Sequence, residues 1–169
     1  EVKDRIVEHR LTIESLIFDI LNMYKMIHKK TLLPETERYR IAYYNVRYTP
    51  ESDLLALRNY ACSGNEKFFI GTDSAPHDII YKENKENMRA GIFSAPCSIE
   101  LYTEIFDQEN SLHNLEKFTS INGAKFYGLS INKDKITLKN EEWVVSEFTE
   151  FNNIKVKNFY GGKKLQWKI

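Results

Sequence analysis

The stretch Lys67-Phe68-Phe69-Ile70-Gly71-Thr72-Asp73-Ser74-Ala75-Pro76-His77 decides the reading of the fold. Phe68 to Gly71 are all apolar or glycine, and so short an apolar run predicts a strand buried on both faces, as in a parallel sheet. The run ends on a carboxylate, Asp73, and an imidazole, His77, follows four residues on. In an α/β barrel the C-terminal strand ends point into the active site. An Asp there can ligate a cation or act as a base. Pro76 restricts the turn and could aim His77 back at the same pocket. Spacing alone leaves a plainer alternative open, in which Asp73 caps the next turn and His77 is a surface residue.

Outward from this stretch the pattern alternates strand and helix. Arg5-Ile6-Val7-Glu8-His9 predicts a short strand ending on His9, either a structural histidine, the commoner case at a strand end, or a second candidate metal ligand. Thr12 then caps a helix whose Ile13, Leu16, Ile17, Ile20, Leu21 and Tyr24 form a core-facing stripe. His28 sits at the lysine-rich end of that helix, as a partner of its dipole. Arg40–Val46 reads as a second strand. Thr49-Pro50-Glu51 reads as a helix start, with Leu54, Leu55, Leu57, Arg58 and Ala61 continuing and Gly64 as the stop.

Downstream, residues 78–90 are polar and aperiodic and predict a loop. Ala90-Gly91-Ile92-Phe93-Ser94-Ala95-Pro96 is a small-residue turn, of a kind that lets backbone N–H groups approach an anion. Pro96 opens a helix carrying Ile99, Leu101, Tyr102, Ile105 and Phe106. A further helix runs from about Leu112 to Ile121 and stops at Asn122-Gly123. Cys97 in a first helical turn predicts a buried, inert thiol, and His113 a solvated residue. The tail changes character. Lys135–Lys139 alternates as a half-exposed strand does, and Trp143-Val144-Val145 and Lys155-Val156-Lys157 add short extended pieces.

The chain has 169 residues, 24 Lys+Arg and 24 Asp+Glu, so its net charge is zero. That argues against nucleic-acid binding through bulk charge. No apolar run reaches the ~18 residues of a membrane span, and no signal-peptide core follows the charged start. Two separated cysteines, Cys62 and Cys97, fit a reduced cytoplasm and make no thiolate metal site. The chain opens on Glu1 and not Met, as a fragment or a processed chain would. Three β/α units are too few for an eight-stranded barrel, which needs about 250 residues. The expectation is therefore an α/β fold.

Several motifs in one order resemble the dihydroorotases of bacterial single-function (class II) type, within the amidohydrolase superfamily. They are residues 64–77 ending in Gly-Thr-Asp-Ser-Ala-Pro-His, 90–96, Glu-Leu-Tyr-Thr-Glu-Ile-Phe (100–106), Asn-Gly-Ala-Lys-Phe-Tyr-Gly-Leu (122–129) and the closing Gly-Gly-Lys-Lys-Leu-Gln-Trp. The resemblance implies the C-terminal part of a TIM-type (β/α)8 metal-dependent hydrolase barrel. Its last three β/α units would occupy 1–145, and 146–169 would be a short extended closing segment. The implied reaction is the reversible cyclisation of N-carbamoyl-L-aspartate to L-dihydroorotate in pyrimidine biosynthesis, in the cytoplasm, at a two-zinc site. Asp73 matches the family's metal-binding, proton-shuttling carboxylate and His9 a metal histidine. His77 matches a histidine that holds the substrate carboxylate, and Ala90 a position whose backbone contacts it.

The departures carry weight too. The family's His-x-His pair, its carboxylated lysine and another histidine would lie upstream of Glu1. Leu33–Tyr39 stands where the family has a glycine-rich segment followed by Arg-Pro-His, and Asn45-Val46-Arg47 replaces a substrate-contacting loop. His9 and Asp73 alone are two ligands, short of the three usual for catalytic zinc. The expectation is a chain that does not catalyse by itself. It would be half of an enzyme awaiting an N-terminal half or a homodimer partner, an inactive truncated remnant, or a non-catalytic scaffold module.

Overall fold

The computed structural model describes residues 51–84, 86, 89 and 91–169. The strands expected at 5–9 and 40–46, the first helix, His9, His28 and Ala90 lie outside the described residues. The described residues mix helix and strand.

Helix α1, Glu51–Cys62, follows the expected Thr-Pro-Glu start. It buries Leu57, Ala61 and Cys62. It stops as predicted at Gly64, whose φ of +71° only glycine adopts at low cost. Helix α2, Ile79–Lys82, corrects the loop expected over 78–90. A single turn is too short to show a hydrophobic period, but Asp78 caps it by accepting from Ile80 N at 3.1 Å.

Helix α3, Ser98–Gln108, is the spine of the molecule. Its Tyr102, Ile105 and Phe106 join Ala61, Cys62, Phe68 and Phe118 in one core cluster. Its Leu101 joins Ile92, Cys97, Val145, Phe159 and Leu165 in a second. Neighbouring positions at helical spacing thus face two different layers. Phe118 lies 5.5 Å from the Tyr102 ring and 5.4 Å from the Phe106 ring, both tilted.

The next helix differs from its expected bounds. A 3-10 turn at Leu112–Asn114 leads through a π-helical stretch, Lys117–Ile121, into α4, Asn122–Tyr127. The end is Gly128, with φ +66°, and not Asn122-Gly123. Gly123 serves closeness instead, since a Cβ there would sit 3.2 Å from Phe69 Cδ2. Asn122 is buried and donates through Nδ2 to Asn65 O (3.2 Å) and Phe68 O (3.0 Å).

The tail holds four strands: β1 (Lys139–Val144), β2 (Phe148–Phe151), β3 (Ile154–Lys157) and β4 (Lys164–Lys168). β1 pairs with β4 and β2 with β3, both antiparallel. The β2–β3 hairpin turns on Asn152-Asn153, both at positive φ, as two-residue hairpin loops demand. The extended pieces around Trp143 and Val156 stand where expected. The strand expected at 135–139 does not: only Lys139 belongs to it, and Ile136 is exposed. Alternation there lacks a buried face.

The largest correction concerns residues 67–73. They form no ladder among the described residues, and no parallel sheet is present there. Phe68 is buried, Phe69 and Ile70 are half-buried and Gly71 is exposed. Antiparallel strands joined by short turns pair locally, whereas a parallel strand needs a partner far away in the chain. No described helix is long and apolar enough to cross a membrane.

Candidate functional site

The segment bearing Asp73 and His77 is shaped by side-chain-to-backbone bonds. Ile70 N donates to Phe118 O at 3.0 Å, which ties its start to the aromatic core. Asp73 follows with φ +44°, a left-handed conformation that aspartate tolerates better than most residues. Asp73 is exposed, and side-chain caps in this region are made by Ser74 and Asp78. Ser74 Oγ accepts from Ser94 N (3.1 Å) and Ala95 N (3.2 Å). Ala75 N donates to Ile92 O at 2.7 Å. These three bonds hold segments 73–78 and 91–95 side by side.

Close contact between the two segments explains Gly91. Its φ is +113°, and a Cβ there would lie 2.7 Å from the Ala75 Cβ. His77 is half-buried, and its N–H donates to Ala75 O at 2.9 Å across the turn containing Pro76. Asp73 and His77 therefore share one short, externally braced segment.

The C-terminal tail forms the brace. Asp78 bridges to Val156, and Phe93 bridges to Asn158. Phe159 N donates to Phe93 O at 2.8 Å. Asn158 in turn donates to Ser146 O at 3.0 Å and accepts from Thr149 Oγ1 at 2.8 Å. Buried Cys97 contacts Phe159 O through Sγ at 3.4 Å, so it is a packed thiol as expected, and His113 is exposed as expected.

Sequence reasoning passed over Lys82. It is 5% exposed, and its ammonium donates to Arg89 O at 2.8 Å and to Gly91 O. Burial pushes its pKa down to about 8. Nothing in the aperiodic 78–90 stretch marked it, because its ties are to Arg89 and Gly91, seven and nine residues on. Ser74 also has a role that its neighbours in sequence do not reveal.

A metal centre is a different matter. Among the described residues no group of three or more His, Cys, Asp or Glu side chains could hold a metal ion. Asp73 offers one carboxylate, and these residues by themselves do not fit a zinc site.

No family model matches the chain. It is similar to the dihydroorotase of Coxiella burnetii, with 48% identity over 117 residues, covering 69% of this chain and 33% of that protein. The mitochondrial dihydroorotase of Arabidopsis thaliana is 46% identical over 106 residues, 63% of this chain and 28% of its own. The crystal structure of dihydroorotase from Campylobacter jejuni superposes with a TM-score of 0.68 at 32% identity, covering 90% of this chain and 42% of that one. Dihydroorotase of Saccharomyces cerevisiae in complex with 5-fluoroorotic acid gives a TM-score of 0.67 at 28% identity, covering 92% and 48%. The chain spans about a third of the length of the curated relatives it matches.

Proposed function

Starting from a chain that is homologous to the C-terminal part of dihydroorotases, we propose that it is the C-terminal portion of a dihydroorotase active site. The reaction in question is the reversible cyclisation of N-carbamoyl-L-aspartate to L-dihydroorotate. The observation that carries this reading is the braced Asp73–His77 segment, inside a region 48% identical to a dihydroorotase.

In this reading Asp73 takes and returns the proton of the ring-closing amide. His77 and the backbone at Ala90 hold the substrate's free carboxylate. His9 and Asp73 would be two of the ligands to zinc in a complete enzyme, where the metal would supply Lewis-acid polarisation of the amide carbonyl. Two protein ligands are fewer than catalytic zinc uses, so the chain alone does not turn over substrate. Residues 1–145 correspond to the last three β/α units of a TIM-type barrel, and 146–169 to a closing segment that braces them.

An exposed aromatic face supports incompleteness. Phe126 is 70% exposed, Tyr127 64% and Leu129 65%. Phe69 packs against the first two at 5.1 and 5.9 Å between ring centroids. Contiguous apolar surface of this kind marks an interaction site or an aggregation hazard. An N-terminal complement of dihydroorotase origin is the partner it suits, with a second copy of the chain as the alternative. A truncated, inactive remnant is the second reading. It is favoured by Leu33–Tyr39 and Asn45-Val46-Arg47, which match no substrate-contacting motif of the family.

The test is zinc content and dihydroorotate turnover of the purified chain, alone and with the N-terminal two-thirds of a bacterial dihydroorotase. We expect no turnover alone and turnover on addition. Turnover by the chain alone overturns the incompleteness argument. Silence in both samples leaves the remnant, or a scaffold if a stable inactive complex forms.

A further inference from the structure

We infer that Lys82 is a positioning residue, a latch that ties Arg89 and Gly91 to α2 and so sets Gly91 beside the His77 segment. The inference deepens the function proposed above and rests on it for the identity of the ligand.

The geometry is that of a loop tied at its return point. Lys82 ends α2, at the loop's start. Its ammonium reaches across nine residues to donate to Gly91 O, and to Arg89 O at 2.8 Å. The two carbonyls flank residue 90. A lysine ammonium has three N–H donors and no acceptor, so it suits convergent carbonyls. Two further contacts bring the same strand of loop back to the helix. Arg89 N approaches Tyr81 O at 3.4 Å, and the Arg89 guanidinium lies 4.7 Å over the Tyr81 ring.

Lys82 is 5% exposed, whereas the lysines of the ion pairs at Glu116, Glu150, Glu142 and Glu141 all have exposed side chains. A lysine is almost never fully buried unless paired. Two of its partners are backbone oxygens, so the charge orders the chain at Arg89 and Gly91. The latched end continues directly into Gly91, packed on Ala75, and into Ile92, whose carbonyl receives Ala75 N. Opening the latch therefore reaches the Asp73–His77 segment through two residues. A positive charge held behind the loop backbone also favours an anionic group in front of it. That suits the carboxylate of dihydroorotate.

The test compares the full 169-residue chain with Lys82→Met and Lys82→Arg variants by amide hydrogen exchange. Met keeps the length and apolar stem but removes the donors, whereas Arg restores them. We expect exchange at Arg89 and Ala75 to quicken at least tenfold in Lys82→Met, to stay near wild type in Lys82→Arg, and to be unchanged at the α3 amides of both. Wild-type exchange rates at Arg89 and Ala75 in Lys82→Met overturn the latch. Equal loosening in Met and Arg variants, or loosening that spreads into α3, also overturns it, since either means general packing. Saturating L-dihydroorotate is a separate arm. If Met loosens these contacts and Arg rescues them, while dihydroorotate protects nothing even with the N-terminal two-thirds of a bacterial dihydroorotase added, the latch stands and the function proposed above fails.

Discussion

The site segment, 68–95, and the C-terminal tail, 139–169, are built by opposite means. The tail has two antiparallel pairs, one closed by the two-residue turn Asn152-Asn153 and the other formed by the strands on either side of that hairpin. The site segment has one turn of helix, two isolated bridges and a set of tethers from Ser74, Asp78, Lys82 and Asn122. The tail carries its own backbone bonding. The site segment borrows its bonding from the aromatic core on one side and from the tail on the other. A functional loop can stay irregular and still be held in one conformation, provided that its ties run to elements that are regular.

The comparison breaks most completely if the shared core is emptied. Phe118 is 1% exposed and touches both Tyr102 and Phe106, while its carbonyl receives Ile70 N. Phe118→Ala should cost ~3–5 kcal/mol in urea denaturation. A loss below ~1 kcal/mol would mean that the helical layer does not carry the fold.

Asn122→Ala comes next. It removes the donor to the Phe68 carbonyl in a buried setting, at about 1–3 kcal/mol, while Asn65 O keeps the Phe68 N–H. The loss should be accompanied by increased proteolysis within 65–77, with the tail still protected.

Ser74→Ala removes the acceptor shared by Ser94 N and Ala95 N. About 1 kcal/mol of stability is expected to go, with faster amide exchange confined to residues 92–95. Uniform exchange across the molecule would show that the two segments are not tied locally.

Alkaline pH separates two buried groups by sign. Burial, and then the Glu109 charge, raises the Cys62 thiol to about 11. The unfolded thiol loses its proton from about pH 9 while the folded one keeps it, so this group's contribution falls between pH 9 and about 11. Lys82, lowered to about 8, acts the other way. The unfolded chain holds that proton up to about 10.5, so stability from this group rises between pH 8 and 10.5. Under reducing conditions Cys62→Ala should flatten the alkaline decline in urea midpoints, and Lys82→Met should steepen it.

The smallest effect is expected on the tail surface. Lys155 and Glu150 pair at 3.6 Å with both side chains exposed. Breaking the pair with Lys155→Ala should leave Tm within about a degree of wild type, because exposed pairs contribute little.

Local signals in the sequence determined what local interactions control. Gly64 ended α1, the apolar spacing of Ile99 to Phe106 produced α3, and Trp143 and Val156 stand in strands. The motif ending in Asp73 and His77, with its neighbours in order along the chain, by itself resembled the dihydroorotases. Contacts across long sequence separations were not legible. Gly123 looked like a stop and is a packing contact with Phe69. Ser74 looked like one more small residue, yet it joins segments twenty residues apart. Lys82 looked like part of a solvated loop and is a buried tether. The 67–73 run had the composition of a central strand, but a strand is defined by its neighbours as much as by its residues, and the described neighbours give it no ladder. Residue type fixes what a side chain can bond to. Only the tertiary structure decides which group, far away in the chain, is there to receive it.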